Sequence, residues 1–129
     1  MKLTGAAANS YFRQPDPTHA ALLIFGADPM RVADKRQQVI TALVGPQGEE
    51  EMRLTRINAA DLRKDPALLN DAVKAQGCLP GHRVAFVEDA TDGLSKVIAA
   101  ALADWEAGDT QMVITAGQLT EKSTLRRVI

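Results

Sequence analysis

Apolar positions along the chain fall into two alternating kinds of pattern. "ALLIF" (21–25), "RVAFV" (83–87) and "QMVIT" (111–115) are short, nearly continuous apolar runs, the signature of strands covered on both faces. Between them lie stretches with helical spacing. Val32, Val39, Ile40 and Leu43 recur at that spacing after the helix-start pair Asp28-Pro29, until Gly45 and Pro46 stop the helix. Asp65-Pro66 opens a second such stretch, carried by Leu68, Leu69, Ala72 and Val73 and ending near Gly77. From Asp92 onward Leu94, Val97, Ile98, Ala101, Leu102 and Trp105 keep the 3.6-residue period closely, with Trp105 expected in core packing. "EKSTLRRVI" begins a last helix.

"MRLTRI" (52–57) differs from the other strand segments because Met52 and Leu54 alternate with Arg53 and Thr55, which predicts an edge strand. The amino-terminal 20 residues read as a short helix around Gly5 to Phe12 followed by the connector "RQPDPTHA". Strands alternating with helices imply one α/β domain over 1–129, with residues 21–129 forming a mostly parallel sheet and helices on both faces. No helix-stop signal follows Leu125, Val128 and Ile129, so the expectation is an amino-terminal piece of a longer protein.

Composition narrows the function classes. With 129 residues there is room for one core. A hydrophobic fraction of 46% and a charged fraction of 24% are ordinary for a globular domain, and no run approaches the roughly 18 apolar residues of a membrane span. A single cysteine, Cys78, has no internal disulfide partner, which fits the cytoplasm. With two histidines besides, no metal site is expected. A net charge of −1 argues against a domain whose own field captures nucleic acid.

The stretch "IFGADPMRV" places a glycine between a strand and a helix, where many α/β proteins hold a nucleotide phosphate. The loop chemistry is missing. A phosphate loop needs a second glycine five residues after the first, then lysine, so that backbone amides approach the phosphates while a cation neutralises them. Counted from Gly26, those positions hold Arg31 and Val32, and Asp28 puts a negative charge at the helix start. No nucleotide cofactor is expected. Glu88 and Asp89 end the third strand where magnesium-binding carboxylates often lie, yet they have no phosphate loop to serve.

"LLIFGADPMRV", "DAVKAQGCLPGHRVAFVEDA" and "MVITAGQLTEKSTLRRVI", taken together, resemble the amino-terminal domain of the delta-subunit family of bacterial DNA polymerase III clamp loaders, over roughly residues 20 to 129. The resemblance implies a three-layer fold related to the nucleotide-hydrolysing clamp-loader subunits, P-loop-NTPase-like in architecture but without a functional phosphate loop. It implies a non-catalytic domain within the DNA polymerase III holoenzyme that grips the sliding clamp and opens it during DNA replication. The family's clamp contact is a pair of exposed apolar residues before the third strand, which corresponds here to Cys78 and Leu79 within "AQGCLPGHR". Gln76, Cys78, Leu79 and Pro80 are thus the expected clamp-binding residues, with His82 at their rim. Lys122, Arg126 and Arg127 are expected to meet another loader subunit or DNA in the assembled loader, and other subunits would bind through a carboxy-terminal region. Two rivals stand beside this reading. One is a phosphoryl-accepting receiver domain using Asp89 and Thr115, and the other is a weak ATPase with an unusual loop.

Overall fold

A computed structural model of the chain describes residues 10–48, 50–75 and 81–129. Four strands, β1 (Ala21–Phe25), β2 (Leu54–Asn58), β3 (Val84–Ala90) and β4 (Gln111–Ala116), form one all-parallel sheet in the order β1-β4-β3-β2. The three continuous apolar runs are β1, β3 and β4. The polar alternating segment is β2, at an edge as its pattern predicts, although it begins only at Leu54. Met52 is not an inward strand residue: it sits in the preceding turn with φ +60° and is 84% exposed.

Helix α1 (Pro29–Val44) crosses one face of the sheet. Its start is fixed by the Asp28 carboxylate, which accepts from the amides of Met30 (3.0 Å) and Arg31 (3.5 Å). Its end is fixed by Gly45, whose φ of +80° lets its amide turn back to the Thr41 carbonyl at 2.8 Å. Val39, Ile40 and Val44 of α1 close over Leu22, Ile24, Phe86 and Val113, and helical residues 10–13 add Tyr11 and Phe12 to the same layer.

On the opposite face lie α2 (Ala59–Lys64), α3 (Ala67–Lys74), α4 (Ser95–Ala103, preceded by a 3-10 turn Asp92–Leu94) and α5 (Thr124–Val128). They bury Leu62, Leu69, Val73, Leu94, Ile98 and Leu125 against Ile57, Val87, Met112 and Ile114. The sheet is thus the middle of three layers. Trp105 lies just past α4 and packs against this second layer, donating its indole N–H to the Thr110 carbonyl at 3.0 Å. The crossovers β2 to β3 and β3 to β4 step in one direction on one face. The crossover β1 to β2 steps back on the other, so all three share one hand, as the twist of a parallel sheet demands.

Helix α2 is the element that periodicity misses. Asn58 caps it through the Ala60 amide (2.8 Å), and only Leu62 supplies a large buried side chain. The start of α5 is held from a distance. Asp92 accepts from the Ser123 hydroxyl (2.5 Å) and the Leu125 amide (3.1 Å), and those hydrogen bonds hold its carboxyl below the ordinary carboxylate range. No described helix is long and apolar enough to cross a membrane.

Candidate functional site

The sheet has two poles. At the carboxyl pole, β1 and β4 are neighbours whose following helices leave to opposite faces, the topological switch point at which α/β sheets bind ligands. A crevice of 340 Å³ lies there, bounded by Gly26 and Val32 on one side, Glu88 and Asp89 on another, with Thr115 and Arg36 between.

Its groups are turned toward one another. The Gly26 amide donates to the Gly117 carbonyl at 3.2 Å, and Asp28 already accepts from the first free amides of α1. A methyl of Val32 lies 3.5 Å from where a Gly26 side chain would begin, an ordinary packing contact. The Arg36 guanidinium lies 4.9 Å over the Phe86 ring and donates to Gln37, while its Nε is buried without a hydrogen-bond partner. Glu88 faces Arg56 at 3.7 Å. An incoming phosphate would meet Glu88 and Asp89 and find the amides of the turn engaged. Gly26 and Val32 line this crevice, and Arg31 follows Met30 in the first turn of α1.

Asp89 and Thr115, the receiver pair, are brought together. β3 bulges between Val87 and Ala90, Asp89 adopts φ +60°, and its amide donates to the Thr115 hydroxyl at 3.3 Å. The surrounding topology differs from a receiver's. Receiver-like folds have β1 between β2 and β3, in the order 2-1-3-4-5; here β1 pairs with β4 and β2 occupies the far edge. Asp28, the only acid directly after β1, is spent on capping α1.

The carboxyl-pole cations of α5 are partly occupied at home. Arg126 lies 5.1 Å over the Phe25 ring, with its Nε buried and unpartnered, and Arg127 donates to the Glu121 carbonyl at 3.2 Å. Lys122 is exposed in the turn before the helix.

Gln76, Cys78, Leu79 and Pro80 lie outside the described residues. The residues that flank them are at the amino pole, at the opposite end of the strands from Gly26, and they are firmly held. On the leaving side, Lys74 at the end of α3 donates to the Asp104 carbonyl (2.6 Å) and to the Asp109 carboxylate (2.5 Å), which also accepts from the Glu106 amide (2.9 Å). On the returning side, Gly81 has φ +129°, and a side chain there would begin 2.9 Å from Arg53 Cδ. Arg53 itself donates to the His82 carbonyl (3.2 Å) and to Glu51 (3.3 Å). His82 bonds the fully buried Gln111 at 2.8 Å, and Gln111 donates onward to the Asp16 carbonyl at 3.0 Å. A cavity of 210 Å³, lined by Pro17, Thr18, Gly81, His82, Trp105 and Asp109 among others, opens beside this return. The long-range contacts of Arg53 and Lys74 at this pole escape sequence reading, because these partners are about 30 positions away.

The Lys74–Asp109 contact raises the lysine pKa and lowers that of Asp109, in each case chiefly through their shared hydrogen bond. A carboxylate with a lowered folded-state pKa binds fewer protons folded than unfolded. Its stabilisation is full above the unfolded value, about pH 4, and is lost as pH falls through the folded value. Asp109→Asn is therefore expected to flatten the loss of stability as pH falls below about 4, read as urea midpoints across the acid range. An acid limb as steep as the wild type's would show that the pair is not formed.

Among the described residues there is no group of three His, Cys, Asp or Glu side chains able to hold a metal. In comparisons with known proteins, no family model and no curated protein matches the chain.

Proposed function

We propose that this domain is the ring-gripping domain of a clamp-loader delta subunit, which binds a sliding clamp and opens it without hydrolysing nucleotide. The observation that carries the reading is the self-satisfied carboxyl pole. A three-layer parallel α/β scaffold of the kind that binds nucleotides keeps its switch-point crevice, while the Gly26 amide, the first amides of α1 and the crevice cation Arg36 are already engaged within the protein. Function then falls to a surface. The segment 76–80 offers Cys78 and Leu79 between Gly77 and the Pro80-Gly81 pair, and it departs from and returns to an anchored base at the amino pole.

The work is done by differential binding. A domain that prefers the opened ring interface shifts the opening equilibrium by its difference in affinity for the two forms and by nothing else. Burying Leu79 in an apolar pocket of the ring is worth about 1.5 to 3 kcal/mol, and the smaller, softer Cys78 contributes less than an aromatic would there. Other loader subunits are the second class of partner, and Lys122 is the α5-flanking cation best placed to meet a subunit or DNA within the assembled loader.

Titrating the domain with the cognate sliding clamp tests the reading. Trp105 is the only tryptophan and lines the cavity beside Gly81, so its fluorescence reports on this pole. The expected result is saturable binding that Leu79→Ala weakens about 10- to 100-fold. Equal affinity for both proteins, or no binding by the wild type, would overturn the proposal.

A further inference from the structure

The two edges of the sheet are built differently. β2, at one edge, mixes polar residues with apolar ones, and its Arg56 is half exposed and faces Glu88 at 3.7 Å. A charge on an edge strand discourages a further strand from adding there. β1, at the other edge, is five apolar residues with no charge, no proline and no shift of register against β4. It carries none of the usual protections of an edge.

Its backbone is open on that side. In a parallel ladder alternate residues bond to the neighbouring strand. The Met112 amide donates to the Ala20 carbonyl (2.9 Å) and the Gly26 amide to the Gly117 carbonyl (3.2 Å), so the even-numbered residues face β4. Ala21, Leu23 and Phe25 therefore turn their N–H and C=O groups to the outside, and among the described residues no hydrogen bond reaches them there. The layer over their side chains is thin as well. α5 has five residues, Ala21 and Leu23 are only partly buried on that face, and Phe25 is 36% exposed under Arg126. A row of outward amides and carbonyls beside half-covered apolar side chains is met by another strand.

The row is complementary to itself. About a two-fold axis at Leu23, antiparallel pairing lets Leu23 exchange both hydrogen bonds with Leu23 of a second copy, and Ala21 exchange both with Phe25 of that copy. Side chains directly opposite share a face, so the large Phe25 lies against the small Ala21, and Leu23 meets Leu23. Charge favours the same arrangement. Arg126 stands over Phe25 at one end of β1, and the Asp16 carboxylate, 44% exposed, stands 3.4 Å from His19 near the other. Antiparallel pairing keeps the two Arg126 groups apart and turns each toward the Asp16 end of the other copy, whereas parallel pairing would set like ends together. Of the other charges flanking the strand, Asp28 is turned to the amides of α1, and the exposed Arg13 and Arg31 supply one cation on each side.

We infer that β1 pairs antiparallel with β1 of a second copy of this chain, centred on Leu23, so that two domains join through one continuous sheet. The pairing covers Leu23 and Phe25 and satisfies the outward row of both copies. It does not depend on the clamp reading.

Sedimentation of the wild type, Leu23→Lys, Leu23→Glu and Ala21→Pro over a range of concentrations tests the pairing. Proline at the first residue of an edge strand removes an outward N–H and no bond to β4. The expected result is a reversible wild-type dimer with a dissociation constant on the order of 1 to 100 μM, because a five-residue strand pair is a small interface. Each variant alone is expected to weaken association about tenfold or more, and mixing Leu23→Lys with Leu23→Glu to restore it, since opposite charges then meet on the two-fold axis. Urea midpoints show whether the charged variants stay folded, and Ala21→Pro decides the question if they do not. A wild type that stays monomeric up to about 1 mM would overturn the inference and leave the edge to a strand of another protein. A dimer that Ala21→Pro leaves unchanged would overturn it as well, because association would then use another face. Folded Leu23→Lys and Leu23→Glu that fail to associate when mixed would overturn the register at Leu23.

Discussion

Phe86→Ala is expected to destabilise the domain by about 3 to 5 kcal/mol, a large share of the 5 to 15 kcal/mol that holds a typical domain folded. Phe86 is 1% exposed in the interior strand β3, and it has a further role besides filling volume. The guanidinium groups of Arg36 from α1 and Arg56 from β2 lie 4.9 and 5.5 Å from its ring centroid, and Arg56 is its direct register partner. The ring therefore stabilises two cations while closing the layer beneath Val39 and Ile40. Alanine would leave a cavity faced by two like charges, one of which already has a buried Nε without a partner. Phe86→Leu conserves most of the volume, so it is expected to cost less than half as much, chiefly through the lost cation contacts. Urea denaturation of the three proteins checks the order. A Phe86→Ala midpoint within experimental scatter of the wild type would show that the α1 layer does not rest on this ring.

Much of the fold is legible in the chain because its signals are local. The continuous apolar runs of β1, β3 and β4 report burial on both faces, and the Asp28-Pro29 start and Gly45 stop of α1 are side-chain and backbone effects within one turn. The polar alternation of β2 reports its edge. What escapes is short or distant. Helix α2 has six residues and one large buried side chain, too little to show a period. The bulge at Glu88 and Asp89 places a non-glycine residue at φ +60° with no glycine to announce it, and the same is true of Met52. Strand order is set by which face each crossover takes, which no single segment encodes.

The site divides in the same way. That Gly26, Arg31 and Val32 lack phosphate-loop chemistry is legible, because the loop is a contiguous motif. That the Gly26 amide is taken by Gly117 is not, because the two residues meet only once β1 and β4 pair. The apolar pair Cys78 and Leu79 between turn-forming residues is legible as a sequence pattern and lies outside the described residues. The two cations that fix its base are not, since Lys74 reaches Asp104 and Asp109 across α4, and Arg53 reaches His82 across two neighbouring strands.

The second large effect follows from the proposed function, under which the domain opens a sliding clamp. If binding energy alone opens the clamp, the opening needs no nucleotide, since nothing in the mechanism couples to hydrolysis. Leu79→Ala, losing about 1.5 to 3 kcal/mol of contact, would leave about 1 to 10% of the opened population at a fixed subsaturating concentration. Release of the cognate sliding clamp from closed circular DNA, followed with the purified domain in buffer without ATP, reads this directly. Release by the wild type, little by Leu79→Ala, and no change when ATP and magnesium are added are the expected results. Release that appears only with ATP, or clamp that stays on the circle at saturating domain, would contradict the proposed function.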